Sequence, residues 1–249
     1  MSARPVRSCA IHQPNLLPRL STLAKLYAAD IWVVLDDVQF VRRDYQHRAR
    51  LAALDNPQQQ QWLSVETHLP HGRATLIRDA QIAYPQRAAR RLGQLPGQYY
   101  HASPYWPLLH AVLEPAAHTV AENAGTAAVA EGTTCALLNL LGWRGTIVRS
   151  SDLTASSDRS ARLADLTTAV GADTYLCGTG GTRYLDCHPF TERQLNVRAF
   201  RPPVADEGPW AGAAKITALW ALAAYGPNRV GAAFDDLRTA TTWFGTHPA

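Results

Sequence analysis

The chain has 249 residues, 47% of them hydrophobic and 18% charged, with a formal net charge of +4. That balance excludes a disordered or collagen-like chain and fits a globular protein long enough to bury a sizeable core. No stretch holds the roughly 18 uncharged apolar residues of a membrane span, and "MSARPVRSC" lacks a secretory apolar run, so a cytoplasmic location with no membrane partner is expected.

"RSCAIH" reads as a short strand. "LSTLAKLYAA" places Leu20, Leu23, Leu26 and Tyr27 on one helical face, and "DIWVVLDDVQF" is a nearly continuous apolar run, as in a strand covered on both sides. Strand, helix and strand within about 35 residues form the βαβ unit of a parallel sheet. In such sheets ligands gather at the carboxyl ends of the strands, which is where 12–14 and 36–39 fall. "QWLSVETH" and "IRDAQIA" read as further strands joined by the turn "LPHGRA". Residues 85–142 read as mostly helical, broken at Pro96, Pro104, Pro107 and Pro115. "TIVRS" returns to strand, "SARLADLTTAVGA" is an amphipathic helix ending near Gly171, and "DTYLCG" is a strand followed by a glycine loop, "TGGTRYLD". "VRAFRP" is a late strand and "AAKITALWALAAYG" a closing helix. The expected architecture is a single α/β domain over 1–249. It has a mainly parallel sheet core with flanking helices, and 85–142 forms a helical insertion or subdomain.

Four features carry candidate chemistry. Cys9 sits at a strand end three residues before His12. A thiol attacks as thiolate and wants a base beside it, yet three residues along a straight strand put the two side chains on opposite faces. Pro14 and Pro18 imply a turn after His12 that returns the imidazole; the other reading is a core thiol. Asp36 and Asp37 stand where an apolar strand exits, suited to orienting a histidine and holding substrate, or to capping a loop. "RRDYQHRAR" interleaves Arg42, Arg43, Arg48 and Arg50 with Tyr45 and His47, either as an anion clamp or as a solvated face. "CGTGGTRYLDCH" offers glycines for close backbone approach, but fits neither GxGxxG nor a P-loop. Adjacent Cys187 and His188 read as structural. The cysteines, Cys9, Cys135, Cys177 and Cys187, form no CxxC and no zinc spacing, so no metal is expected. The basic residues are nearly all arginine, with lysine only at Lys25 and Lys215. They form no nucleic-acid motif, so no nucleic acid is expected.

"IHQPNLLPRLSTLAKLYAADIWVVLDDVQFVRRDYQHRAR", then "WLSVE", "GADTYLCGTGGTRYLD" and "KITALWALAAYGPNRV", resemble the WbqC-like protein family. The chain departs from that pattern at Cys9, usually aliphatic, His47, commonly asparagine, Arg19, commonly tryptophan, and Glu66, usually proline. With its cysteine it is similar to the condensing enzymes of lincosamide antibiotic biosynthesis. The resemblance implies an amide-forming acyltransferase. Its donor is a proline-type thioester on the phosphopantetheine arm of a carrier protein, and its acceptor is the amine of a thio-octose type sugar. No cofactor is held by the chain itself. On that reading Cys9 is acylated, His12 is the base and Asp37 orients it, with His47 and Glu66 as the fallback pair. Asp36, Gln39, Arg43, His47, Glu66, Gly180, Gly181 and Tyr184 bind substrate. Backbone N–H groups near Cys9 or in the 178–181 loop stabilise the oxyanion, worth roughly 3 kcal/mol each in other enzymes. Arg87, Arg90 and Arg91, on one face of a helix, are either a solvated helix face or a carrier-docking patch complementary to an acidic carrier. A direct transfer without a covalent intermediate, and a non-catalytic carrier- or sugar-binding module, are the alternatives.

Overall fold

The computed structural model describes residues 6–122 and 125–239. Its centre is a five-stranded sheet built from β1 (Ser8–His12), β2 (Ile31–Val34), β7 (Thr146–Arg149), β8 (Thr174–Gly178) and β9 (Asn196–Phe200), in the order β7-β2-β1-β8-β9. Every neighbouring pair is parallel. The chain therefore runs outward from β1 through β2 to β7, then returns across β1 to lay down β8 and β9. That reversal makes the gap between β1 and β8 a topological switch point, with the crevice at the strands' carboxyl ends.

Strand alternation sorts the side chains into two cores. Ala10, Trp32, Val34, Leu176 and Phe200 face α1 (Leu20–Tyr27), α4 (Thr126–Leu140) and α7 (Ala218–Tyr225). Cys9, Ile11, Ile31, Val33, Tyr175, Cys177 and Val197 face α5 (Arg159–Ala169) and α6 (His188–Glu192). Helices thus cover both faces, which is why β2, "IWVV", has no exposed residue. The fold is α/β with a parallel sheet and flanking helices, as the βαβ pattern predicts.

The region before the long helices departs from expectation. β3 (Arg48–Ala52) pairs antiparallel with β4 (Gln60–Ser64), so the last three residues of the arginine-rich "RRDYQHRAR" are strand. The guanidinium groups of Arg48 and Arg50 lie 4.3 and 4.4 Å from the Trp62 ring centre. These two guanidinium groups hold the hairpin together. "IRDAQIA" contributes only β6 (Gln81–Ile82), against β5 (Thr67–His68). Next come α2 (Pro85–Tyr100), α3 (Trp106–Ala121) and α4. Pro96 and Pro115 lie inside α2 and α3 rather than ending them. Leu92, Tyr100, Leu109 and Leu137 of these helices pack into the same core as the sheet residues Ala10 and Trp32. The closing helix starts at Ala218 on the cap of Thr217, whose side chain accepts from the Leu219 N–H. Gly226, at φ 80°, turns the chain into α8 (Pro227–Thr239).

Leu23 fixes α1 to the sheet and is fully buried. Leu23→Ala should lower unfolding stability by about 2–5 kcal/mol in urea titration, whereas Val204→Ala, at a fully exposed position, should stay within about 0.5 kcal/mol.

Candidate active-site crevice

The ladder between β1 and β8 pairs Ser8 with Thr174 and Cys9 with Tyr175. Further along β1, the Ile11 carbonyl accepts instead from the Lys25 ammonium, at 3.3 Å. The crevice that opens there has two lobes. The first, about 420 Å³, is lined by Gln13, Asp44, Arg159, Ser160, Arg162 and Tyr184 among others. The second, about 360 Å³, is lined by Arg19, Ser21, Thr22, Lys25, Thr179 and Gly180 among others. Ile11, His12, Arg19, Tyr175 and Gly181 border both, so the lobes adjoin across His12.

His12 ends β1, and its Nδ1 lies 2.7 Å from the Gln13 carbonyl oxygen. A carbonyl only accepts, so Nδ1 carries the hydrogen and Nε2 keeps its lone pair. Burial, then the charge of Lys25, hold the imidazole well below its usual pKa; at neutral pH it is uncharged. Lys25 lies on the buried side of α1. Burial brings its ammonium from the usual 10.5 to about 8, against the opposing pull of Cys177. Gly181 closes the far side of the crevice. A Cβ there would fall 2.7 Å from the Cys177 sulfur, so the loop's glycine is required by packing on β8.

Several expected partners are engaged elsewhere. The Cys9–His12–Asp37 triad is not assembled. Cys9 points into the core under α5, where its thiol meets the Thr167 hydroxyl at 3.5 Å, on the sheet face opposite His12. Burial pushes that thiol up to about 12. Asp37 pairs with Arg162 at 2.5 Å and accepts from the Ser150 hydroxyl. Burial alone would raise its pKa, and these two partners outweigh it and hold it below the usual value. Asp36 is buried and accepts from Ser150, from the Ser151 N–H and from the Ser151 hydroxyl, tying the end of β2 to the end of β7. Both carboxylates are structural struts, one of them reaching the crevice wall through Arg162.

Among the other expected binding residues, Gly180, Gly181 and Tyr184 do border the crevice. Gln39 donates to the Arg73 carbonyl, and the Arg43 carbonyl accepts from Arg48. The His47 ring packs 5.2 Å from Phe40, and burial takes it down to about 4. Glu66 pairs with Arg87. None of these four lines the crevice, and the His47–Glu66 pair is not formed. Arg91 of the expected docking face donates to the Trp62 carbonyl. Burial also raises the thiols of Cys135, Cys177 and Cys187. Among the described residues no three His, Cys, Asp or Glu side chains gather as a metal site, and no helix is long and apolar enough to cross a membrane.

Lys25 and the crevice arginines Arg19, Arg159 and Arg162 were missed in the sequence reading. One signal was present for Lys25: a lysine between Ala24 and Leu26, on a helix that buries both, in a chain with only one other lysine.

The arrangement defines a doubly wound α/β protein with a polar, two-lobed crevice at its switch point. The chain belongs to the WbqC-like protein family, whose model matches residues 13–206. No curated protein and no solved structure matches it.

Burying the Lys25 charge opposes folding by up to about 3 kcal/mol below pH 8, from the difference between 10.5 and 8. Between pH 8 and 10.5 the unfolded chain holds the proton that the folded chain has released, so that penalty fades as pH rises. Lys25→Met removes it but leaves the Ile11 carbonyl unpaired, which costs about 1 kcal/mol. The variant should be roughly 1–3 kcal/mol more stable than the parent at pH 7, and chemical denaturation from pH 7 to 10.5 should show the advantage shrinking.

Proposed function

We propose that the protein is an N-acyltransferase. It would hold a thioester donor and an amine acceptor in the two adjoining lobes and join them directly into an amide. The observation that carries this is His12, uncharged and held by the Gln13 carbonyl, standing where the lobes meet. The resemblance to condensing enzymes supplies the substrate classes: an acyl group on the pantetheine arm of a carrier protein, and an amino sugar.

The acceptor nitrogen forms its bond to the thioester carbon, and His12 Nε2 takes the proton that the nitrogen loses. As the tetrahedral adduct collapses, the C–S bond breaks. The departing sulfur leaves with the electron pair and receives the proton from His12. The thioester is already activated, so the step needs no nucleotide. Proximity supplies much of the rate, since two bound reactants replace a bimolecular encounter, and a positioned base contributes typically 100-fold or more.

Direct transfer is preferred over a Cys9 acyl-enzyme on physical grounds. A nucleophilic thiol needs a lowered pKa and access to its electrophile. Cys9 is fully buried, on the opposite face from His12, and its pKa is raised.

His12→Ala should lower kcat/KM for amide formation by 100-fold or more, while Cys9→Ala stays within a few-fold of the parent. The measurement is product formation from an acyl-loaded carrier protein and an amino sugar, with intact-protein mass spectrometry of the enzyme after exposure to donor alone. No donor-derived mass should remain on the protein. A donor adduct on Cys9, together with a folded but inactive Cys9→Ala, would overturn direct transfer in favour of the covalent route. Full activity in His12→Ala would remove the base assigned here.

A further inference from the structure

The second lobe has a charge pattern unlike the first. In the first, Asp44 stands on the wall with Arg19, Arg159 and Arg162, and Asp37 pairs with Arg162. In the second, Arg19 and Lys25 are the cations, and the described lining residues include no carboxylate. Among the described residues Lys25 has no carboxylate partner. The groups it feels are Cys177, Arg19 and Cys9, of which only the arginine is charged at neutral pH. Among the described residues its ammonium donates to the Ile11 carbonyl, which uses one of its three donors. Arg19, at the start of α1, lies 4.3 Å from the Tyr45 ring centre and donates through one Nη to the Ala214 carbonyl. Its buried Nε has no partner among the described residues.

We infer that this lobe is an anion subsite, in which Lys25 and Arg19 grip a phosphate or carboxylate group carried by the amine-bearing substrate.

A buried cation without a counter-charge is unfavourable unless something compensates it. Here the compensation comes with the ligand. Ser21, Thr22 and Thr179 add hydroxyl donors around the same space, as a group with several acceptor oxygens requires. The volume, about 360 Å³, is at the small end of ligand sites and suits a charged monosaccharide-sized molecule. Because the lobe also borders His12, a ligand anchored there by its anion presents its remaining groups to the base. The inference rests on the transfer reading for the role of the ligand as acceptor. The binding itself does not depend on turnover.

The test is calorimetric titration of the full chain at pH 7 and 0.15 M salt with inorganic phosphate, glucosamine, glucosamine 6-phosphate and muramic acid. The last two carry an amine with a phosphate or with a carboxylate. At least one of them should bind 10-fold or more tighter than glucosamine, which carries the amine but no oxyanion. A gain for the phosphate alone assigns a phosphorylated acceptor, a gain for muramic acid alone assigns a carboxylated one, and a gain for both supports the shared oxyanion chemistry. Inorganic phosphate should compete with whichever anionic sugar binds. Lys25→Met and, independently, Arg19→Gln should each lose 10-fold or more for whichever oxyanion-bearing sugar binds the parent, with no loss for glucosamine. Circular dichroism and thermal melts report whether each variant is folded. If both folded variants bind the oxyanion ligands like the parent, or if the sugars with and without an oxyanion bind alike, the subsite is refuted and Lys25 is a spacer between β1 and β8. Anion selectivity without any acyl transfer would leave the subsite standing and end the transfer reading. Acyl transfer with no preference for anionic acceptors would do the reverse.

Discussion

The hydrogen bond from the Lys25 ammonium to the Ile11 carbonyl is the constraint around which the crevice is organised. In an unbroken parallel sheet that carbonyl would be taken by the neighbouring strand. Here an amine rises from α1 and occupies the place, beside Gly178 of β8. A Cβ on Gly178 would lie 3.6 Å from the lysine's side-chain carbon, in ordinary contact. The strands pair near their starts and part near their ends. Reversal of strand order predisposes any doubly wound sheet to open at this point. The lysine keeps it open with a polar, charged group where a leucine would have filled it with an apolar one.

The same cation sets the state of the histidine. His12 and Lys25 share the helix α1 side of the sheet end, and two positive charges there would repel each other. Burial already disfavours imidazolium, and the ammonium disfavours it further. The result is a neutral imidazole whose hydrogen is committed to the Gln13 carbonyl. On the far wall the balance is different. Arg162 is held by Asp37, and Arg159 stacks 5.6 Å from the Tyr184 ring. One lobe sets carboxylates among its arginines and the other holds none, and that asymmetry gives two sides of one crevice distinct ligand preferences.

Much of this frame was readable in the residues. The β1–α1–β2 unit follows from an apolar helix stripe between two apolar runs, and the strands "TIVRS" and "DTYLCG" from the same logic. The site was less legible because proximity in sequence is a poor guide on a strand. Cys9 and His12 look like neighbours, but the two-residue period of β-structure sends them to opposite faces of the sheet, one into the core under α5 and the other to the crevice. Asp36 and Asp37 do lie at a strand's carboxyl edge, yet their partners, Ser150, Ser151 and Arg162, come from more than a hundred residues away. The hairpin β3–β4 was obscured because "RARLA" reads as charged, and only the facing Trp62 explains why arginines suit it. Pro96 and Pro115 looked like helix ends. Each lies within a helix that packs into the core, where tertiary contacts outweigh the lost backbone hydrogen bond.

The thiol and the lysine invite opposite errors. A cysteine near a histidine attracts a catalytic reading, while a lysine in a helix attracts none. Burial affects the two groups differently because it opposes charge in both. For Cys9 the charged form is the reactive one, so burial on the α5 face makes the thiol inert. For Lys25 the charged form is the one suited to an anion, and bringing its pKa to about 8 leaves it mostly protonated at neutral pH, though at a cost in stability. Desolvation therefore disarms the thiol and leaves the ammonium charged. A fold that needed only packing would gain by replacing that ammonium with an apolar side chain. Retaining it at the one place where the sheet opens is consistent with a role in binding rather than in holding the core together.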